Sequence, residues 1–320
     1  MLLNNLTGNG RQLAFIHYTE IVCIKDSSIL ESAKQPICLK LADTLGAQFR
    51  SLRFVKAPNE MLLAASDRAI NFYSTEPFTL LHSVPLENLL QTNTKFGFLQ
   101  GLSALCFEDA SKDSIVFAGT SDGSIVQIPV KADDFGSVKV VPNVFSGYVL
   151  DLDCHPNNGS HVLVASGSLD VPGSACGIVK IFTVDWTGCI DTQHTIKLDS
   201  EGLCTCVRVR DVMLFCACSN GALRVFHLET AAAIATISAH ARCINAMEIH
   251  PVKSIIATAS EDSTIGVFNF SESGSISHVA YIESQDSLLT GLAYCGGTPR
   301  DFLAASAYDE ELIQAWTVVE

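Results

Sequence analysis

Residues 239–270 read AHARCINAMEIHPVKSIIATASEDSTIGVFNF. Three short stretches of alternating apolar residues lie in this segment, and we expect strands at 243–249, 254–260 and 264–270. A His-Pro step ends the first stretch and a Glu-Asp-Ser turn separates the second from the third, because these residue types interrupt strands. A further strand is expected just upstream, at 232–237. The segment therefore predicts one unit of four antiparallel strands.

The same order of strands and turns recurs along the whole chain. In six units the turn between two strands holds an acid or an Asn, and these residues are Asp67, Asp122, Asp170, Asn220, Asp262 and Asp309. The intervals between them are 55, 48, 50, 42 and 47 residues, and one further interval upstream falls near Thr19 and Glu20. Seven units of this kind, with four strands each and a period in the forties, are typical of β-propeller blades.

We therefore predict an all-β fold, a seven-bladed β-propeller that forms a single domain over residues 1–320. The blades are expected at residues 1–41, 46–82, 101–141, 148–196, 203–237, 243–283 and 288–318. The last blade has room for three strands only, so either residues 2–6 close it and leave the first blade short, or the closing strand is absent. We expect incomplete closure at this seam. A six-bladed propeller with an irregular N-terminal extension is the alternative.

The unit at 239–270 resembles the WD-repeat family. His240 matches the family's histidine before the first strand, Ser260 its polar residue in the second strand and Asp262 its turn acid, whereas Phe268 stands where the family usually has Trp. The resemblance implies a hydrogen-bonded chain through these residues, and a non-catalytic scaffold or adaptor whose loop face binds other proteins. A buried imidazole near a turn carboxylate is expected to pair with it in any case, because buried polar groups need partners. The other units match poorly, since most lack the histidine.

Composition narrows the class of partner. The chain has 20 Lys and Arg against 34 Asp and Glu, a formal net charge of −14, which disfavours nucleic acid and anionic membranes. The excess of acid favours basic proteins or peptides as partners, and we expect no small-molecule substrate. No apolar run is long enough to span a bilayer and no secretory signal opens the chain, so we expect a cytoplasmic protein with its 12 cysteines reduced.

Two C-x-C pairs are the weak candidates for a metal site. Cys204 and Cys206 fall on one expected strand, and Cys216 and Cys218 on its neighbour. Residues two apart in a strand point to the same side, so four sulfurs could converge. Zinc sites use longer spacings on loops, however, and free cysteine is a common core residue, so core packing is the favoured interpretation. No phosphate-binding loop, HExxH or GxSxG motif is present, and we expect no cofactor and no catalytic residue.

Two insertions are the candidate partner-binding segments. Residues 83–101 link the second and third blades, and residues 169–177 interrupt the fourth. Both would open on one face, and long connections with apolar residues often make contacts. The candidate contact residues are Leu89, Leu90, Phe96, Phe98, Leu99, Asp170 and Val171. The alternative is that these residues pack back onto the blades.

Two other functions remain open from the sequence. A substrate receptor of a ubiquitin ligase would usually need an Arg after an aromatic-acid pair in a third strand, and the expected third strands lack it. A metal-dependent propeller hydrolase would need acids from several inner strands. The polar residues expected on those strands are Ser51, Ser103, Asp151, Asp153, Thr205 and Asn245. Only the fourth blade supplies acids, so the scaffold is favoured.

Overall fold

The computed structural model describes residues 3–24, 37–40, 47–89, 97–107, 113–131, 134–157, 160–169, 176–198, 202–297, 300–310 and 313–318. Within these ranges the chain forms seven antiparallel sheets, which we number as blades I to VII in chain order. One short 3-10 helix, Leu86–Asn88, follows blade II. No helix in the described ranges has the length and apolar character needed to cross a membrane.

The strands are short, as expected for propeller blades. Blades I to III contain β1 (Leu6–Gly8), β2 (Leu13–His17), β3 (Glu20–Ile24), β4 (Ile37–Lys40); β5 (Phe49–Lys56), β6 (Glu60–Ser66), β7 (Ala69–Ser74), β8 (Leu80–Pro85); and β9 (Leu99–Cys106), β10 (Ser114–Thr120), β11 (Ile125–Lys131), β12 (Asp134–Phe135), β13 (Lys139–Val141). Blades IV and V contain β14 (Val149–Asn157), β15 (Ser160–Ser168), β16 (Gly177–Val184), β17 (Ile190–Lys197); and β18 (Cys204–Arg210), β19 (Met213–Cys218), β20 (Ala222–His227), β21 (Ala233–Ser238). Blades VI and VII contain β22 (Ile244–Ile249), β23 (Ile255–Ser260), β24 (Thr264–Phe270), β25 (Ile276–Glu283); and β26 (Leu289–Gly297), β27 (Arg300–Ala307), β28 (Gln314–Val318).

The sheets close into a ring. The first strand of each blade contacts the first strand of the next, in the order β5, β9, β14, β18, β22, β26 and β1, and β1 contacts β5 again. These seven strands therefore surround a central channel. The predicted seven-bladed propeller is confirmed, and the six-bladed alternative is wrong because β1 to β4 form a sheet of their own.

Apolar packing holds neighbouring blades together. Each of the seven buried clusters joins residues of two adjacent blades, from blades I and II through to blades VII and I. In the cluster between blades V and VI, for example, the rings of Phe215 and Phe270 lie 5.0 Å apart. The alternating apolar residues of the strands thus face the next blade, and burying them supplies the main force that keeps the ring closed.

A β-bulge recurs near the start of the inner strand in six blades. The residues that the ladder skips are Arg50, Gly101, Leu150, Thr205, Asn245 and Thr290. A bulge inserts one residue, so the side chains before and after it no longer follow simple alternation. The inner strands consequently turn side chains toward the channel that the period of two would not place there.

The two faces of the ring differ in the turns and linkers that lie on them. Because the strands alternate in direction, the turns between second and third strands share one face, which we call the upper face, with the linkers between blades. Six backbone hydrogen bonds of 2.8–3.1 Å tie these turns to the linkers, from Asp67 to Gln48, Ser121 to Phe98, Ser168 to Tyr148, Ser219 to Leu203, Glu261 to Cys243 and Tyr308 to Leu288. The remaining turns form the lower face.

At the seam, blades VII and I are joined by apolar packing and hydrogen bonds rather than by a shared strand. Blade VII has three strands, and the outer edge of β28 has no partner strand among the described residues. Leu6 begins β1, the inner strand of blade I, so it does not complete blade VII. The expected incomplete closure is thereby confirmed for the described residues, and of the two arrangements considered the one without a closing strand is present. Asn5 links the seam through its N–H to Thr290 O, 3.3 Å, and its Oδ1 accepts from Ser306 Oγ at 2.7 Å.

Candidate functional site

The inner strands bring a charged cluster into the channel. Asp151 and Asp153 lie two residues apart on β14, after its bulge, and therefore face the same way. Arg208 of β18 donates from Nη1 to Asp151 Oδ2 at 2.9 Å and from Nε to Glu248 Oε2 of β22 at 3.3 Å. The Arg208 side chain is only 9% exposed, so these ion pairs are largely shielded from water. Three blades are joined by this one guanidinium.

A second arginine holds Asp153. Arg53 of β5 donates from Nη2 to Asp153 Oδ1 at 2.5 Å, and from Nη1 to the carbonyl oxygens of Leu102 and Leu152 at 3.1 and 3.0 Å. The second oxygen of Asp153 accepts the backbone N–H of Val209 at 2.8 Å. Buried charges are tolerated when they are paired in this way. Asp151 and Asp153 are therefore committed to the protein, and the described residues contain no group of three His, Cys, Asp or Glu placed to hold a metal.

The upper mouth of the channel is crossed by the segment before β1. Asn4 has a left-handed backbone, φ +49°, and its N–H donates to Asn245 O of blade VI at 3.2 Å. Its side-chain amide lies 3.4 Å from Asp151 Oδ2 of blade IV and 3.1 Å from Cys206 Sγ of blade V. Asn4 thus contacts three blades and lies over the charged cluster on this side.

His240, in the linker before blade VI, is the centre of a buried polar chain. Its Nδ1 lies 3.2 Å from both carboxylate oxygens of Asp262, and its Nε2 lies 2.8 Å from Thr258 Oγ1. A neutral imidazole with its proton on Nδ1 satisfies both contacts. The strand hydroxyl that meets His240 is therefore that of Thr258. Ser260 instead accepts the N–H of Asp262 at 3.2 Å and shapes the same turn.

Asp262 organises the turn and the linker together. It accepts the N–H of Ala241 at 2.8 Å and the hydroxyl of Thr264 at 2.7 Å. Burial lowers the pKa of His240, which keeps the ring neutral. Burial opposes ionisation of Asp262, but hydrogen bonds from Thr264 and Ala241 hold the pKa of this carboxyl below its usual value. Phe268 is buried near this chain, and its ring centroid lies 5.7 Å from that of His278.

The four cysteines of blade V do not converge. Cys204, Cys216 and Cys218 belong to the apolar cluster between blades IV and V, whereas Cys206 belongs to the one between blades V and VI. The bulge at Thr205 separates the two sides, so the expectation that residues two apart share a face fails here. Burial raises the pKa of the Cys204, Cys206 and Cys218 thiols, and protonated thiols are poor metal ligands.

The insertion at 83–101 is partly core. Leu89 and Leu99 are fully buried in the cluster between blades II and III, so, contrary to the proposal of a contact surface, they are not available to a partner. Phe98 is half-buried, and the Arg50 guanidinium lies 4.9 Å from the centroid of its ring. The remaining candidates, Leu90, Phe96, Asp170 and Val171, lie outside the described residues.

A different part of the upper face exposes apolar side chains. Tyr18, in the turn of blade I, is 67% exposed, Tyr308, in the turn of blade VII, is 57% exposed, and Leu288 in the neighbouring linker is 39% exposed. The Tyr18 hydroxyl donates to Asp309, which joins the two turns across the seam. Glu310 accepts the Ser287 hydroxyl at 2.8 Å. We call these five residues, Tyr18, Leu288, Tyr308, Asp309 and Glu310, the seam patch. The sequence did not indicate this patch, because Tyr18 lies about 290 residues from Asp309 along the chain.

Comparison with known proteins agrees with this architecture. The family model for the WD domain, G-beta repeat, matches residues 232–269. The chain is 22% identical over 271 residues to WD repeat-containing protein 54 of Mus musculus. The aligned region covers 81% of this chain and 75% of the mouse protein. The sequence alone predicts a resemblance to that protein, from the opening Asn4-Asn5-Leu6, the run 216–249 with AHAR at 239–242, the segment ASEDSTIGVF and the ending Ala307-Tyr308-Asp309.

Two solved structures resemble the fold closely. A chain in the crystal structure of the mitotic checkpoint complex superposes with a TM-score of 0.72 at 15% identity, covering 99% of this chain and 90% of that one. The structure of U3-55K gives a TM-score of 0.67 at 12% identity, with 93% and 85% coverage. At these identities the likeness speaks for the fold alone. Seven blades around a channel make this chain a β-propeller, and the matched repeat and the similar mouse protein show that it resembles WD-repeat proteins.

Proposed function

We propose that the protein is a non-catalytic scaffold that binds a basic segment of another protein at the seam patch. The observation that carries the proposal is the pairing there of exposed apolar side chains with acids. Two tyrosines and a leucine lie beside Asp309 and Glu310 on one corner of the upper face. Tyrosine is enriched at protein interfaces, because its ring buries a large area while its hydroxyl stays hydrogen-bonded.

The charge of the patch supports a basic partner. Exposed aromatic rings attract Lys and Arg through cation–π contacts, and neighbouring carboxylates add to this attraction. The chain as a whole carries a formal charge of −14, which would speed encounter with a cationic segment. A cytoplasmic adaptor, as expected from the sequence, would fit this mode of binding.

A catalytic role has less support. WD-repeat propellers are in general non-catalytic interaction modules. The inner-strand acids that a hydrolase would use, Asp151 and Asp153, are both held by arginines and backbone amides. We therefore propose binding rather than turnover.

Capture of partners from native lysate, quantified by mass spectrometry, tests the proposal. The bait would be the 320-residue protein beside the double variant Tyr18→Ser/Tyr308→Ser, and the control would be Trp186→Ser, because Trp186 is an 81% exposed aromatic on the lower face. Partners rich in Lys and Arg should be lost in the double variant and kept in the control, and should weaken as salt rises from about 0.05 to 0.3 M. Equal capture by all three baits would reject the seam patch as the binding surface.

A further inference from the structure

A cavity opens on the lower side of the channel between blades II, III and IV. It has a volume of about 580 Å³, within the range of about 300–1,000 Å³ that is usual for ligand sites. Its walls come from the lower halves of β5, β9 and β14 and from the residues that follow β5 and β9. It lies below the ion pair of Arg53 and Asp153, which line its inner end.

The side chains that line the cavity carry one more positive charge than negative charge. Arg53 and Asp153 neutralise each other, and both oxygens of Asp153 already accept hydrogen bonds. Burial raises the pKa of the Cys154 thiol to about 12, so it is neutral at physiological pH. Lys56 lies exposed at the rim and makes no ion pair with any described residue. The residues that line the cavity therefore carry a net charge of +1, and Glu60, which lies opposite Lys56 on β6, is outside the lining.

The rest of the lining presents both apolar and polar surface. Half-buried Phe54 and Ala104 supply apolar surface to the walls, with Pro58 and Pro156 at the rim, whereas Leu105 and Phe107 belong mainly to the core between blades III and IV. A ligand that fills such a space gains from burying an aromatic or aliphatic body. A cationic ligand would be repelled by Lys56 and would find no free carboxylate among the lining residues, because Asp153 is occupied.

We propose that this cavity binds an amphipathic anion, with its anionic group on Lys56 and its apolar body against Phe54 and Pro156. The ligand enters from the lower face, because Asn4 lies across the upper mouth. The cavity is separate from the seam patch, because the two lie on opposite faces of the ring. Failure of one proposal would therefore leave the other untouched.

A pair of fluorescent probes tests the site. The anionic probe is 8-anilino-1-naphthalenesulfonate, and its matched neutral analogue is N-phenyl-1-naphthylamine; both are titrated into the folded 320-residue protein. We expect saturable one-to-one binding of the anion, and affinity for it that falls about five- to tenfold in Lys56→Met, the effect of one nearby unit charge in a partly screened site. The neutral analogue should bind equally to the wild type and to Lys56→Met. The control Lys197→Met removes an exposed lysine from β17 at the outer edge of blade IV and should change neither probe.

A bulky substitution provides the second arm. Cys106 lines the cavity, and Cys106→Trp should fill it and abolish binding of the anion while thermal unfolding stays cooperative. If this variant does not fold, Lys56→Met against Lys197→Met still decides the question. Absence of saturable binding to the wild type, equal affinity in Lys56→Met and Lys197→Met, or undiminished binding to a folded Cys106→Trp would each overturn the proposal.

Discussion

Blades VI and VII carry the same turn acid but use it differently. In blade VI, Asp262 bonds to a fully buried His240 and to the linker that enters its own blade. In blade VII, the equivalent Asp309 meets the exposed Tyr18 of blade I, and the blade has three strands rather than four. One repeat position can therefore anchor a blade internally or join two blades across a seam. The buried arrangement should contribute far more to stability, because water competes with the exposed one.

Removing the two acids gives the largest expected contrast. Asp262→Ala leaves a buried imidazole and two linker and turn donors without their acceptor, so we expect a loss of about 3 kcal/mol in the free energy of unfolding. Asp309→Ala, the matched change, should cost about 1 kcal/mol, part of it because residue 309 has a left-handed backbone, φ +62°, that Ala adopts less readily than Asp. Urea unfolding of both variants measures the difference. Similar losses would mean that the two turns are equivalent.

Hydrogen exchange compares the two third strands directly. Strand β24 is paired on both sides, whereas β28 is paired with β27 alone among the described residues. Backbone amides without a second neighbour open to solvent by local fluctuation, so β28 should exchange at least about tenfold faster than β24. Mass spectrometry of peptides covering 264–270 and 314–318 reads this out. Equal protection would show that something covers the β28 edge in solution.

Acid should weaken blade VI through its histidine. Burial lowers the pKa of His240 below 6.5, so between 6.5 and its folded value the unfolded chain binds more protons than the folded one. Stability is therefore complete above pH 6.5 and falls as the pH drops below that value. Urea unfolding at pH 7.5 and 5.5 should show this loss, and His240→Gln should reduce the slope. His155 and His250 shift in the same direction, so part of the slope should persist.

The smallest expected effect tests the contact across the seam. Tyr18→Phe removes the hydroxyl that donates to Asp309, and because the pair is exposed we expect a loss of about 0.5 kcal/mol. In a double-mutant cycle, Asp309→Ala should cost about 0.5 kcal/mol less once Tyr18 is Phe. Additive losses would mean that the two residues act separately.

Much of the fold could be predicted because local signals repeat. Five turn acids and Asn220 mark six units, and one further interval upstream gives the seventh. In the segment 239–270 the observed strands begin within one residue of the expected positions. The pairing of His240 with Asp262 follows from the same logic, since a buried imidazole near a turn carboxylate needs a partner. These inferences use residues that are close in sequence and geometry that regular strands dictate.

The channel and the seam patch escaped prediction for physical reasons. Arg53, Arg208 and Glu248 face the channel because of bulges, and a bulge of one residue has no fixed sequence signature. The bulge at Thr205 likewise places the side chains of Cys204 and Cys206 in different inter-blade clusters. The seam patch depends on the closure of the ring, which brings Tyr18 beside Asp309. Local patterns do not report contacts over such distances.

The bond between Ser306 and Asn5 also has a consequence for biogenesis. It joins residues 301 positions apart, and no earlier neighbour can take the place of blade VII beside β1. During synthesis, one side of blade I therefore stays uncovered until blade VII has emerged from the ribosome. Contacts of such long sequence separation slow folding, and exposed strands invite aggregation in the meantime. The nascent chain, rather than the finished ring, is thus the form of this protein that most needs protection by chaperones.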